Sequence, residues 1–136
     1  ANESGIGSIR PGFEVDAHQF TPAGYSMNAL KGGDYYTIHV TPEQLGSYVS
    51  FETNVDFRGS LPELVARVVS VFEPRSFDVM AFAPEGAVPD LFPKGGPSLG
   101  DYRPKDRVRA QVAGYDIRFW HAYSPDEAER PPARLV

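Results

Sequence analysis

Ser26 and His39 are the residues of this 136-residue chain whose types and spacing most clearly suggest chemistry. The segment 31–34 between them reads Lys-Gly-Gly-Asp, and Gly-Gly is a strong signal for a two-residue hairpin turn. If the two glycines form the turn, the antiparallel register places Ser26 directly opposite His39, with Cβ atoms about 4.5–5.5 Å apart. A hydroxyl beside an imidazole can act as a nucleophile with its general base.

The spacing of this pair leaves two interpretations open. No Gly-x-Ser-x-Gly elbow surrounds Ser26, and no aspartate is obviously placed to orient His39, so a hydrolase is the weaker interpretation. A histidine that only satisfies its hydrogen bonds within a sheet is the favoured one. The chemistry therefore depends on which elements carry the two residues and on what surrounds them.

Segments rich in β-branched and aromatic residues predict strands along most of the chain. The predicted strands are 13–20, 24–30, 34–41, 47–54, 77–83, 106–112 and 114–123. A loop rich in proline and glycine at 84–104 separates the last hairpin from the preceding strand. The N-terminal residues 1–10 also read as a loop.

One segment, 60–73, changes to helical periodicity, with leucine, valine and phenylalanine recurring on one face. Ser60 is a candidate N-cap, and Glu63 stands three residues later, as in a capping box. Pro74 is expected to end the helix. Strands with one amphipathic helix predict an antiparallel sheet whose more apolar face takes the helix. The opposite face, which carries Tyr, Ser, His and Glu, is where chemistry or a partner should lie.

The composition is that of one globular domain, predicted over 1–124 and followed by a disordered tail over 125–136. A net charge of −5 argues against nucleic acid and against an anionic membrane surface as partners. No apolar run approaches the roughly 18 residues of a membrane span, and no leader segment is visible. There are no cysteines, and the three histidines lack metal-ligand spacing, so no metal site is expected. A cytoplasmic location fits this composition.

Three ordered motifs carry a resemblance to a known family. They are Gly-Tyr-Ser-Met-Asn at 24–28, Thr-Ile-His-Val-Thr-Pro-Glu at 37–43 and Ser-Tyr-Val-Ser-Phe-Glu at 47–52. Together they resemble the C-terminal half of eukaryotic-type S-adenosylmethionine decarboxylases, and the similarity covers nearly the whole chain except the tail. The resemblance implies an α+β fold, a four-layer sandwich of two antiparallel sheets backed by helices. This chain is then expected to supply most of one sheet and a covering helix.

The resemblance also implies a function. The family decarboxylates S-adenosylmethionine to the aminopropyl donor for spermidine and spermine biosynthesis, using a pyruvoyl group as an electron sink that binds the substrate amine as a Schiff base. The pyruvoyl group arises when a chain serine attacks its preceding peptide bond and the resulting ester is eliminated. By position, Ser26 and His39 are implied to assist this self-processing. Glu43 is implied to hold the ribose hydroxyls, and Phe20 to stack on the adenine.

A second set of implied roles concerns the polyamine activator putrescine. Glu52 matches a buried acid of the putrescine-linked network in some members, with Phe82 and Tyr115 as lesser matches. The pyruvoyl-forming Glu-Ser-Ser motif and the family's catalytic cysteine are not in this sequence. The chain is therefore expected to be the C-terminal portion of a longer proenzyme, inactive alone, whose partners are the N-terminal half (the β chain), the substrate and, in some members, putrescine. A homodimer stays open.

Two alternatives remain beside S-adenosylmethionine decarboxylation. One keeps the pyruvoyl chemistry but decarboxylates a different amino acid, which altered adenosine contacts would mark. The other is a catalytically dead paralogue that binds and activates a decarboxylase subunit, which loss of processing residues would mark. The sequence retains the residues implied for adenosine contacts, Phe20 and Glu43, and those implied for processing, Ser26 and His39. They favour S-adenosylmethionine decarboxylation over both alternatives.

Overall fold

The computed structural model describes residues 12–21, 23–56, 60–92 and 99–125. The predicted loop at 1–10 and the predicted tail from residue 126 onward lie outside the described residues. The described elements follow one another in the order β1 Glu14–Gln19, β2 Tyr25–Lys31, β3 Asp34–Glu43, β4 Gly46–Thr53, α1 Leu61–Phe72, β5 Ser76–Pro84, β6 Arg103–Val112 and β7 Tyr115–Tyr123. Every predicted strand and the predicted helix is present. The chain forms two compact units, 1–56 and 57–136, each described by itself below.

The first unit contains a four-stranded antiparallel sheet in the order β1-β2-β3-β4. Lys31 pairs with Asp34 across the β2–β3 turn, which confirms the predicted register. Gly32 has a φ of +61°, a left-handed conformation that glycine adopts without steric cost. The sheet is therefore an up-and-down meander, and its register follows from this one tight turn.

One face of the first sheet is buried and apolar. Its most buried side chains are Met27, Ala29, Tyr36 and Ile38, each fully inaccessible to solvent. The Tyr36 ring packs edge-on to Phe13, with centroids 5.2 Å apart, and stacks on Phe51 at 5.7 Å. The alternation of these residues with polar ones leaves the other face for His39 and its neighbours.

The side chain of Asn54 fastens the end of β4 to the β2–β3 hairpin. Its Oδ1 accepts a hydrogen bond from the Tyr35 N–H at 2.7 Å, and its Nδ2 donates to the Gly33 carbonyl at 2.9 Å. The Thr53 hydroxyl donates to the Tyr35 carbonyl, also at 2.7 Å. These three bonds hold the strands that carry the polar face in register.

The second unit contains a three-stranded antiparallel sheet in the order β5-β7-β6, with α1 packed on one face. Leu61 and Val65 of the helix belong to a buried cluster with Ala81, Trp120 and Ala122 of the sheet. The fold class expected from the sequence is thus confirmed in its antiparallel sheets and single helix. The expectation that the helix lies on the sheet of the first hairpin is wrong, because the small inward-facing alanines of β5 and β7 accept the helix on the second sheet instead.

The ends of α1 differ in part from expectation. Ser60 occupies the N-cap position, but its side chain makes no capping hydrogen bond, so the predicted capping box does not form. The Ser60 ψ of 8° departs from the extended conformation in which a serine oxygen reaches the first turn. At the other end, Glu73 adopts a left-handed φ of 46° and its N–H donates to the Val69 carbonyl at 2.8 Å, immediately before Pro74. Within the described ranges, no helix is long and apolar enough to cross a membrane.

Candidate active site

Ser26 and His39 lie directly opposite each other on β2 and β3, as the turn predicts. A hydrogen bond of 3.1 Å joins Ser26 Oγ and His39 Nδ1. Ser26 is half-buried and the imidazole is exposed. The pair is therefore a formed contact on the open face of the sheet, available to a group brought from outside.

The pair belongs to a row of side chains that crosses all strands of the first sheet. His18 of β1 lies opposite Ser26, and Ser50 of β4 lies opposite His39. The His18 imidazole lies 3.3 Å from the Asp16 carboxylate. Two histidines thus flank Ser26, and the structure distinguishes them: His39 contacts the serine, whereas His18 contacts an aspartate.

Glu52 lies in the next row, toward the hairpin turn. The register places Glu52 opposite Thr37, and Thr37 opposite Asn28, on the same face as His39. The Glu52 side chain is exposed rather than buried within this chain. Its carboxylate is one row away from the imidazole and faces the same direction.

Phe20 and Glu43 lie beyond the other side of the pair, Phe20 directly after the end of β1 and Glu43 at the end of β3. The Phe20 N–H donates to the Gly24 carbonyl at 2.9 Å, and the ring is 54% exposed. Gly24 has a φ of +128°, a conformation that favours glycine, and it lies beside the Phe20 ring. Glu43 is the last residue of β3 and is exposed, four positions beyond His39 and hence on the same face.

One face of the first sheet therefore carries four of the predicted site residues, in the order Glu52, then Ser26 with His39, then Glu43. The fifth, Phe20, directly follows the end of β1. Phe82 and Tyr115 lie in the second unit. Phe82 pairs with Ile117 and Tyr115 with Pro84, which puts both rings on one face of the three-stranded sheet. They are 59% and 55% exposed, respectively.

The sequence reading missed one residue of electrostatic importance, Asp116, whose side chain is completely buried in the second unit. Its carboxylate accepts hydrogen bonds from the Gly86 N–H at 2.9 Å, from Arg109 at 3.2 and 3.3 Å and from Gln111 at 3.1 Å. The Gly86 N–H, followed by the Gln111 and Arg109 side chains, lowers the pKa of Asp116 even though burial acts to raise it. Its alternation with Arg118 and Trp120 along β7 is the signal that could have revealed its inward orientation.

Two tyrosines on the buried side of the first sheet also escaped the sequence reading. The hydroxyl oxygens of Tyr25 and Tyr36 are buried and have no hydrogen-bond partner among the described residues. Burial, and then the neighbouring Tyr25, raise the pKa of Tyr36. Both rings therefore belong to the apolar face of the sheet, opposite the face that carries the Ser26–His39 pair.

The three histidines lie in separate environments. His18 contacts Asp16, His39 contacts Ser26, and His121 Nδ1 lies 2.6 Å from Asp78 on the outer face of the second sheet. Across the part of the chain that the structure describes, no cluster of three or more His, Cys, Asp or Glu side chains could hold a metal ion.

Comparison with known proteins decides the family. The sequence matches the family described as adenosylmethionine decarboxylase over residues 1–123. The chain belongs to this family. The first expectation of the sequence reading, its resemblance to S-adenosylmethionine decarboxylases, is thereby confirmed.

Relatives of the adenosylmethionine decarboxylase family extend well beyond this chain. The S-adenosylmethionine decarboxylase proenzyme of Xenopus laevis is 40% identical over 117 residues, which are 85% of this chain but 35% of that protein. The proenzyme of Dictyostelium discoideum is 48% identical over 84 residues, which cover 62% of this chain and 22% of the relative. The chain thus spans about a third or less of these curated relatives.

A solved structure of the same family confirms the fold. The crystal structure of the Trypanosoma brucei AdoMetDC-delta26 monomer aligns with a TM-score of 0.73 at 26% identity. The alignment covers 90% of this chain and 51% of the trypanosome chain. The antiparallel sheets and helix described above are therefore those of the adenosylmethionine decarboxylase fold.

Proposed function

We propose that this chain is the C-terminal portion of a pyruvoyl-dependent S-adenosylmethionine decarboxylase that provides decarboxylated S-adenosylmethionine for polyamine biosynthesis. The observation that carries the proposal is the hydrogen bond between Ser26 Oγ and His39 Nδ1 on a face that also presents Glu43, with the exposed Phe20 directly after β1. Family membership supports it, and the relatives are named as proenzymes. The proposed site is completed by the N-terminal half of the proenzyme.

The chemistry of Ser26 and His39 fits assistance to self-processing. When a serine of the proenzyme attacks its preceding carbonyl, the adduct carries an oxyanion, which the Ser26 hydroxyl can stabilise by donating a hydrogen bond. Elimination of the resulting ester then requires removal of an α-proton. The imidazole of His39 is exposed and one hydrogen bond away from Ser26, which suits it to act as the general base.

The remaining residues of the face fit substrate binding. The exposed Phe20 ring offers a stacking surface for adenine, and the Glu43 carboxylate can accept hydrogen bonds from two vicinal ribose hydroxyls. The pyruvoyl group, formed from a serine outside this chain, supplies a carbonyl that withdraws electrons from the carboxylated carbon. In substrate binding, the proposed role of this chain is thus to position the nucleoside part of the substrate.

Glu52 is proposed to tune the site by charge. Its carboxylate faces the same direction as His39 from the neighbouring row, so closure of the site by the N-terminal half would place a negative charge near the imidazole. A dication such as putrescine would be attracted to that charge. Phe82 and Tyr115 present exposed rings for the same network, as the family resemblance implies.

The test uses the complete proenzyme that contains this chain. Mass spectrometry should find two polypeptides, the larger beginning with a pyruvoyl group, and the product should release carbon dioxide from carboxyl-labelled S-adenosylmethionine. Ser26→Ala should slow cleavage, whereas Ser50→Ala, a hydroxyl lost from the same row, should cleave normally. A proenzyme that stays uncleaved and inactive would refute the proposal and favour a non-catalytic activating subunit. Cleavage with turnover of another amino acid alone would refute the substrate.

A further inference from the structure

Three arginines surround a small pocket in the second unit, on the helix-covered side of the three-stranded sheet. Arg107 and Arg109 belong to β6 and Arg118 to β7. The pocket has a volume of about 150 Å³ and is lined by these arginines together with Asp90, Val108 and Trp120. All of these residues are described, and none belongs to the proposed active site.

The register brings two of the positive charges together. Arg109 and Arg118 are directly opposite on adjacent strands, and Arg107 is the diagonal neighbour on the same face. Like charges directly opposite each other destabilise a sheet. Negative charge between or beside the guanidinium groups would offset the repulsion between them.

Two of the three arginines obtain that charge from aspartates. Arg109 donates to both oxygens of the buried Asp116, at 3.2 and 3.3 Å. Arg107 lies 3.9 Å from Asp90 and has its guanidinium 5.6 Å from the centre of the Phe92 ring. Among the described residues at the pocket, three arginines and two aspartates leave one positive charge uncompensated.

Arg118 carries this uncompensated charge. Its Nε is buried and has no hydrogen-bond partner among the described residues. A buried donor left unpaired costs free energy, and the cost is greater for a charged group. Guanidinium groups bind planar or tetrahedral oxyanions through paired N–H donors, and this geometry matches carboxylate and phosphate.

We propose that this pocket binds a small oxyanion of carboxylate or phosphate chemistry, with Arg118 as its principal donor. The volume of about 150 Å³ accommodates an anion of that size. Arg107, whose side chain is 49% exposed, provides the entrance to the site. The net charge of the chain is −5, so attraction to this pocket comes from the local arginines and not from the molecule as a whole.

Trp120 provides the readout, since it is the one tryptophan in the sequence and lines the pocket. The complete proenzyme that contains this chain is titrated with inorganic phosphate and, separately, with acetate, while chloride keeps the ionic strength constant. The contribution of Trp120 is the part of the fluorescence change that a Trp120→Phe variant lacks. We expect a saturable change in tryptophan fluorescence at roughly millimolar anion. Arg118→Gln should weaken binding about tenfold or more, because a charge-assisted hydrogen bond is lost.

Arg103→Gln is the matched control. It removes the same charge from the same sheet, on the strand β6 that carries Arg107 and Arg109, but Arg103 pairs with Tyr123 on the opposite face of the sheet. Its titration should equal that of the unaltered chain. Circular dichroism establishes that each variant is folded; if Arg118→Gln is not, Arg107→Gln at the exposed entrance must weaken binding instead.

The outcomes separate the two sources of the ligand. A response to phosphate alone identifies a phosphate site, and a response to both anions identifies a site for carboxylates as well. No response to either anion overturns the proposal. An equal response in Arg118→Gln and Arg103→Gln, or an unchanged response in Arg107→Gln, overturns it too.

Discussion

Ser26 Oγ and His39 Nδ1 are joined by a 3.1 Å hydrogen bond between directly opposite positions of adjacent strands. The contact requires no loop or flexible segment, because the sheet register alone holds the two side chains together. His18 also lies opposite Ser26, from the other side, yet its imidazole contacts Asp16. Two histidines therefore lie opposite Ser26, one on each neighbouring strand, but in different chemical environments.

His39→Ala in the complete proenzyme should stop processing after ester formation, because the proposed base for the elimination step is missing. Hydroxylamine, which cleaves esters, should then release two fragments from a variant that otherwise migrates as one chain. Gel electrophoresis with and without hydroxylamine makes the measurement. His18→Ala is the control and should process normally; normal processing by His39→Ala would contradict the assigned role.

Glu43→Gln should raise the KM for S-adenosylmethionine more than it lowers kcat, because the carboxylate is proposed to accept ribose hydroxyls far from the reacting carbon. Loss of a hydrogen bond to a charged group corresponds to about a tenfold or greater decrease in kcat/KM. Steady-state assay of carbon dioxide release measures both constants. Gln44→Ala, at the exposed next position, is the control. A variant with KM unchanged would exclude ribose binding by Glu43.

Asp116 should make the stability of the chain sensitive to acid. Its pKa is lowered in the folded state, so its contribution to stability is complete above the ordinary pKa of an aspartate and is lost as the pH falls through the lowered value. Urea unfolding between pH 7 and about pH 2 should show this loss. Asp116→Asn should be less stable at neutral pH and lose less on acidification. Asp101→Asn removes an exposed carboxylate and serves as control; an equal acid response in all three chains would contradict the assignment.

Asn54→Ala should lower the free energy of unfolding by about 1–3 kcal/mol, because two hydrogen bonds from its side chain to the hairpin backbone are lost. Asn28→Ala, on the exposed face of β2, should change stability by less than about 0.5 kcal/mol. Urea denaturation of both variants compares them. Equal stability of the two variants would show that the Asn54 bridge adds nothing to the sheet.

Most of the fold and the central pair could be predicted from the sequence, because they depend on local rules. The Gly-Gly turn sets the β2–β3 register, and with it the opposition of Ser26 and His39. Alternation along β3 and β4 places Glu52 and Glu43 on the same face as His39. The assignments of those residues to processing and substrate binding stay predictions.

Tertiary structure alone decided the rest. Which sheet accepts α1 depends on the inward-facing alanines of β5 and β7, which are far apart in the chain and meet only after folding. The burial of Asp116 depends on side chains from separate strands and loops. The same holds for the pocket in which Arg118 Nε is buried without a hydrogen-bond partner among the described residues. Sequence periodicity determines the face of the sheet on which a side chain lies. The charged groups that neighbour it there depend on how the elements pack.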